Sequence, residues 1–345
     1  MKKKLLAATL LLPALAQAEP VVLKVSHFLP AVSWVHKQMI VPWCDKIAAE
    51  SKGEIKCQLY PAMQLGGTPP QLLSQVRDGV ADIVWTLPGY TPGRFPTTEV
   101  FELPFFTTAP EASSRAMWDF AMGDAAKGKP ANASKEFTGT KPIAMWVNGP
   151  NVLHFRNKQV TTLADLKGLK VRAPSRLGNK TLAALGTVPV GMPVTQMAES
   201  VSKGVIDGAL VPWEVVPATK LHELVKYHAE YPANNTLTTA TMIFTMNKAK
   251  YDGLSPAQKK VIDNNSGRET SAWFAKVMSE GDAAGRKAAV ARGNTVYQIA
   301  ATEIANWRKA TQPVTREWIK EVTANGMNGQ QLHDQAATLV KQYSK

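Results

Sequence analysis

Among the side chains able to do chemistry, Arg172 is placed to most effect. It lies in Ala164-Asp-Leu-Lys-Gly-Leu-Lys-Val-Arg-Ala-Pro174. Leu169 to Val171 reads as a short strand that carries the arginine to its C-terminal end, and Pro174 stops the strand from continuing. A guanidinium there offers a planar, permanently charged fork, whose natural partner is a carboxylate held by two parallel hydrogen bonds. A structural ion pair at a domain edge would use the same residue type. Other chemistries find no constellation. His27, His36 and His154 lack a zinc spacing, so a metal is not expected. There is no phosphate-cradling glycine loop, no Gly-x-Ser-x-Gly elbow and no distinctive carboxylate pair, so an enzyme is not expected.

The elements that must position Arg172 follow from periodicity. Val21 to His27 alternates as a strand, 35–51 has helical spacing, and Glu54 to Tyr60 alternates again. A helix over 69–78 and a strand over 81–86 complete a first β/α series, and Pro142 to Val147 is a strand leaving it. After the turn Asn148-Gly-Pro150 a second series begins: strand 170–173, helix 178–185, the segment 188–190, helix 195–203 and strand 208–211. Residues 238–246 read as a return strand into the first lobe. A long, nearly unbroken helix is predicted over 256–292, with Gly293-Asn294 as its stop, then a short β-like run at 295–299. The remainder, 302–345, reads as helical with a break at 326–329. Strands alternating with helices imply α/β lobes with mixed, mainly parallel sheets.

In such sheets ligands sit beyond the carboxyl ends of strands. That rule selects 28–36, 85–90, 172–176 and 211–214. Phe28 and Trp34 face the cleft from one lobe. Trp213 is large enough to wall a flat or apolar ligand, or else packs at the hinge. Trp85 and Leu87 are alternatives, since neighbouring strand residues point to opposite faces. Val211 adds an apolar surface, and Asn148 and Ser175 offer directional hydrogen bonds or cap turns. Arg176 is the only nearby second cation.

Asp165 to Pro174 resembles the signature of DctP-type substrate-binding proteins of tripartite ATP-independent periplasmic (TRAP) transporters. Leu59-Tyr-Pro-Ala-Met-Gln-Leu-Gly66, Gln75 to Ile83, Phe101-Glu-Leu-Pro-Phe-Phe106 and Gly204-Val-Ile-Asp-Gly208 are similar to further stretches of that family, in the family's order. The resemblance covers roughly residues 20 to 345. It implies a two-lobed periplasmic binding protein fold with a long helix spanning the hinge, and a role for Arg172 in binding the ligand carboxylate. It also implies delivery to two membrane subunits, a small four-helix one and a large multispanning one. The lobes are expected at 19–147 plus 238–277 and at 148–237 plus 278–345, the latter with the C-terminal helices. Sialic-acid-binding members carry an Asn and extra polar groups near the stretch that here is Val211-Pro-Trp213. Metal-using keto-acid binders carry Glu-Trp, where this chain has Trp213-Glu214. The ligand is therefore expected to be a monocarboxylate with an aromatic or bulky apolar body, mandelate- or benzoylformate-like. Small hydroxy or keto acids and sugar acids are the other ligand classes. A sensory protein feeding a receptor kinase is the alternative role.

Bulk properties agree. Met1-Lys-Lys-Lys4, the apolar run Leu5 to Leu15 and Ala16-Gln-Ala18 have the form of a signal peptide, cleaved near Ala18 for export to the periplasm. No Cys follows that site, which argues against a lipid anchor. The net charge of +13 includes three leader lysines, and the rest is scattered rather than gathered in a stripe, so nucleic acid is not an expected partner. No cofactor is implied. Cys44 and Cys57 fall on a predicted helix and the strand after it, in a chain bound for an oxidising compartment; a disulfide is expected, with two buried thiols as the alternative.

Overall fold

A computed structural model describes residues 19–123, 131–232 and 235–345. The predicted leader, 1–18, lies outside the described residues. The chain opens with β1 (Val21–Ser26), whose Leu23 and Val25 point into the core. A π-turn at His36–Ile40 leads into α1 (Val41–Glu50), where Pro42 occupies the first turn and needs no hydrogen-bond donor. Next come β2 (Ile55–Tyr60), α2 (Leu72–Arg77), β3 (Ile83–Thr86), α3 (Pro110–Met122) and β4 (Thr140–Val147). The second lobe contributes β5 (Val152–Phe155), α4 (Leu163–Leu166), β6 (Lys170–Ala173), α5 (Arg176–Ala184), β7 (Val188–Gly191), α6 (Met197–Ser202), β8 (Gly208–Val211) and β9 (Tyr227–Glu230). The chain then returns through β10 (Thr241–Asn247), α7 (Lys248–Asp252), α8 (Pro256–Asn264) and α9 (Arg268–Ala291). It closes with β11 (Thr295–Gln298), α10 (Ala301–Ala324) and α11 (Gly329–Tyr343).

Two sheets result, ordered β2-β1-β3-β10-β4 and β11-β9-β5-β8-β6-β7. Strand β10 runs antiparallel between β3 and β4, so the return strand does re-enter the first sheet. In the second sheet β5 is antiparallel to both β8 and β9, while β6 runs parallel to β7 and β8. The fold is mixed α/β with two lobes and mostly parallel strands.

The long helical stretch differs from expectation. It is two helices, α8 and α9, broken at Asn265-Ser-Gly267. Gly267 adopts φ 106°, a conformation that L side chains avoid, and its N–H donates to the Ile143 carbonyl of β4 at 2.8 Å. The break docks the start of α9 onto the first sheet. From there α9 packs on α3 and β4, then reaches the Trp213–Val215 turn of the second lobe. At 24 residues it is about 36 Å long, enough to cross both lobes. Gly285 permits the crossing, because a Cβ at that position would lie 1.9 Å from the Trp213 carbonyl oxygen. Helix α10 packs on α4 and α5, but α11 turns back onto α3 beside the first sheet. An apolar face on α11, with Leu332, Ala336 and Val340 buried, drives that return.

Candidate functional site

Strand β6 lies between β7 and β8, with Arg172 in register with Val190 and Ala209. Pro174 ends the strand and Ser175 N-caps α5, its hydroxyl accepting from the Gly178 N–H at 3.2 Å. The strand end thus delivers Arg172 into a cavity between the lobes. Phe28, Leu29, Trp85, Leu87, Tyr90, Ala240 and Met242 line it from the first lobe and the return crossing. Arg172, Pro174, Val194, Val211, Pro212, Glu214 and Val215 line it from the second, and Asn148 and Asn151 from the outgoing crossing.

Arg172 is only 1% exposed. Its Nε donates to the Met192 carbonyl at 3.0 Å and Nη1 to the Leu210 carbonyl at 3.1 Å. These neutral acceptors orient the fork without neutralising it. No carboxylate pairs with it among the described residues; its remaining polar neighbour is the Tyr90 hydroxyl. Burial pushes its pKa down and Tyr90 opposes that, but an arginine stays charged in proteins. A buried charge without a counter-charge costs several kcal/mol. A bound anion would supply the missing counter-charge.

The walls are aromatic. Phe28 stacks on Trp85 with centroids 4.5 Å apart, and Tyr90 meets Phe28 edge-on at 5.6 Å. The Tyr90 hydroxyl, from the first lobe, accepts from the Val194 N–H of the second at 3.0 Å. Asn148 ties the crossings together, its Oδ1 accepting from Thr239 Oγ1 at 2.6 Å and from the Ala240 N–H at 2.9 Å. Its Nδ2 is buried without a partner among the described residues. Glu214 is buried beside Asp282 of α9, and burial, then that neighbour, pushes its pKa well above the ordinary carboxyl value. The shift favours its neutral form.

Of the residues expected from sequence, Arg172, Phe28, Leu87, Asn148 and Val211 meet around this cavity, and Trp85 joins Leu87 rather than competing with it. Three do not. Trp213 turns away, since neighbours Pro212 and Glu214 take the cavity side of the turn. Its indole donates to Glu230 Oε1 at 2.9 Å and packs against His154 and His228. Trp34 packs on α9, donating to the Val277 carbonyl at 2.7 Å. Ser175 is occupied as the helix cap. Arg176 points away as well, pairing with Glu99 and Glu321. The histidines form internal bonds: His27 to His36 at 2.9 Å, and His154 to His228 at 2.6 Å and to the Val211 carbonyl at 3.0 Å. Burial, then His36, holds His27 at about 3, so it is neutral. Among the described residues no three His, Cys, Asp or Glu side chains converge as a metal set. Cys44 and Cys57 form a disulfide, with Cα atoms 5.8 Å apart. Tyr90 and Glu214 fall within the strand-end windows that sequence selects but were not singled out. Asn151 carried no signal, because it lies next to β5, which alternation did not reveal.

Known proteins agree with this geometry. The model of the bacterial extracellular solute-binding protein family 7, DctP, matches residues 25–321. A TRAP solute-binding protein from Rhodoferax ferrireducens, solved with copurified benzoate, is 47% identical over 94% of this chain and 98% of that one, with a TM-score of 0.90. A marine metagenome TRAP protein specific for aromatic acid ligands, solved with 3-hydroxybenzoate, is 42% identical over 95% and 100% of the two chains, also with a TM-score of 0.90. The C4-dicarboxylate-binding periplasmic protein DctP of Rhodobacter capsulatus is 26% identical over 92% of each chain. The two-lobed fold and the matched sequence agree: this chain belongs to the DctP family of TRAP solute-binding proteins, which are receptors for organic acids and not enzymes.

Proposed function

We propose that this receptor captures an aromatic or bulky apolar monocarboxylate, of the benzoate, mandelate or benzoylformate type, in the periplasm. It then hands the acid to a TRAP permease of one small four-helix and one large multispanning subunit. The observation that carries the reading is the uncompensated charge of Arg172 set against aromatic walls. In this proposal Arg172 holds the carboxylate in a fork, Asn148 Nδ2 adds a donor, and Phe28, Leu87, Trp85 and Val211 pack the body. Among the described residues Arg172 is the only Lys or Arg lining the cavity, so a second carboxylate would be buried without a partner. A sugar acid would set several hydroxyls against apolar walls. The benzoate and 3-hydroxybenzoate bound by similar proteins support the same ligand class. Export of the chain with cleavage near Ala18 belongs to this proposal, as does the lobe assignment that places the ligand at the hinge. A thermal-shift and competition screen of the mature chain with benzoate, mandelate, benzoylformate, succinate and galacturonate tests it, since ligand binding raises stability by mass action. The aromatic acids should shift the melting temperature. A response to succinate or galacturonate alone would overturn the ligand class.

A further inference from the structure

The cavity contains more unpaired polar groups than one carboxylate can use. Trp85 Nε1, Asn148 Nδ2, one end of the Asn151 amide and Glu214 Oε2 are all buried without a partner among the described residues, and all four side chains line the cavity. A carboxylate only accepts hydrogen bonds. Arg172, Asn148 Nδ2 and the Trp85 indole N–H can supply its donors, which leaves the Glu214 carboxyl oxygen and the Asn151 Oδ1 acceptor for another group of the ligand. Glu214 is also held firmly. Its backbone N–H donates to Asp282 Oδ1 at 2.9 Å, and α9 passes so close that a Cβ on Gly281 would lie 3.0 Å from the Glu214 Cβ. These contacts fix its backbone at the cavity wall, where the side chain is buried. An unpaired buried polar group costs about 1–3 kcal/mol, so a ligand that pairs it is favoured over one that leaves it bare.

We propose that Glu214 is a specificity residue that recognises a hydroxyl on the bound acid, so that the preferred ligand is a hydroxylated aromatic monocarboxylate. A hydroxyl both donates and accepts, which matches a neutral carboxyl, and the free end of the Asn151 amide offers a second partner in the same cavity. Burial, then the Asp282 carboxyl, pushes the Glu214 pKa up, which favours the form that presents an O–H. This inference rests on the aromatic-acid reading of the site.

The test is calorimetric binding at pH 7 of benzoate, the 2-, 3- and 4-hydroxybenzoates and mandelate to the wild-type chain, Glu214→Gln and Glu214→Leu. At least one hydroxylated acid should bind the wild type about tenfold or more tighter than benzoate. The best ring isomer, or mandelate, locates the hydroxyl. Glu214→Gln, which keeps a donor and an acceptor, should retain most of the preference. Glu214→Leu should lose it while still binding benzoate. Benzoate binding with no gain from any hydroxyl overturns the inference and leaves the aromatic-acid reading standing, as does a preference that survives in Glu214→Leu. Failure of every aromatic acid to bind overturns both. If the leucine variant does not fold, the wild-type series and Glu214→Gln still decide.

Discussion

Arg172 was legible as a candidate because a permanently charged fork at a strand end, stopped by Pro174, has few uses. Only the structure shows that, among the described residues, no carboxylate pairs with it. Trp213 shows the opposite case. Its size marked it as a wall, but side-chain direction in the turn after β8 is set by packing on α9, which no local pattern reveals. Neighbouring Glu214 took the cavity side instead. The pair Glu214 and Asp282 also predicts a pH dependence. Burial raises Asp282 from its ordinary 3.8 to about 7, opposed by the backbone N–H groups of Glu214 and Trp213. The folded state then holds the Asp282 proton more tightly than the unfolded chain. Its contribution to stability is complete below pH 3.8 and is lost as pH rises to about 7. Urea melts of the wild type and Asp282→Asn should diverge over that interval, the wild type losing stability relative to the variant as pH rises. Parallel pH profiles would show that the carboxyl is not held as described.

Helix α9 joins the two lobes, and its contact with the second depends on the absence of a side chain at position 285. Gly285→Ala places a methyl group against the Trp213 carbonyl, so either the helix or the turn must move. Overpacking of this kind costs about 1–3 kcal/mol. Denaturant titration should show that loss, and an unchanged midpoint would mean that the crossing is looser than the structure implies. At the other end of the first lobe the Cys44–Cys57 disulfide closes a short loop between α1 and β2. Replacing both residues by Ser should cost about 3 kcal/mol in the chain-entropy description, read from the same titration. Most elements were legible because their apolar residues recur at helical or strand period, as in β1 and β2, while β10 was legible from its run of Thr and apolar residues. The exceptions have physical reasons. Strand β5 has all four residues buried, so it shows no alternation. Strand β9 buries only its two central residues, His228 and Ala229, which have no apolar period. The break before α9 depends on one glycine conformation inside a run that otherwise has helical spacing.

At the scale of the molecule, the cavity is walled by both lobes, and contacts across them hold it shut. Tyr90 bonds to Val194, and Arg176 of α5 pairs with Glu99 of the first lobe. A ligand must enter through an opened form, so binding shifts the population toward closure. Small-angle scattering should show a smaller radius of gyration with benzoate than without it; identical profiles would contradict lobe closure. Glu99→Gln removes a partly exposed cross-lobe pair, worth about 1 kcal/mol, and should weaken benzoate binding about fivefold without changing the ligand order. The most direct measurement concerns the charge at the centre. Benzoate should be titrated calorimetrically into the wild type, Arg172→Lys and Arg172→Ala, with folding checked by circular dichroism. The account predicts strong weakening in Arg172→Lys, where the charge remains but the bidentate fork is lost, and no measurable binding in Arg172→Ala. Wild-type affinity in both folded variants would contradict it.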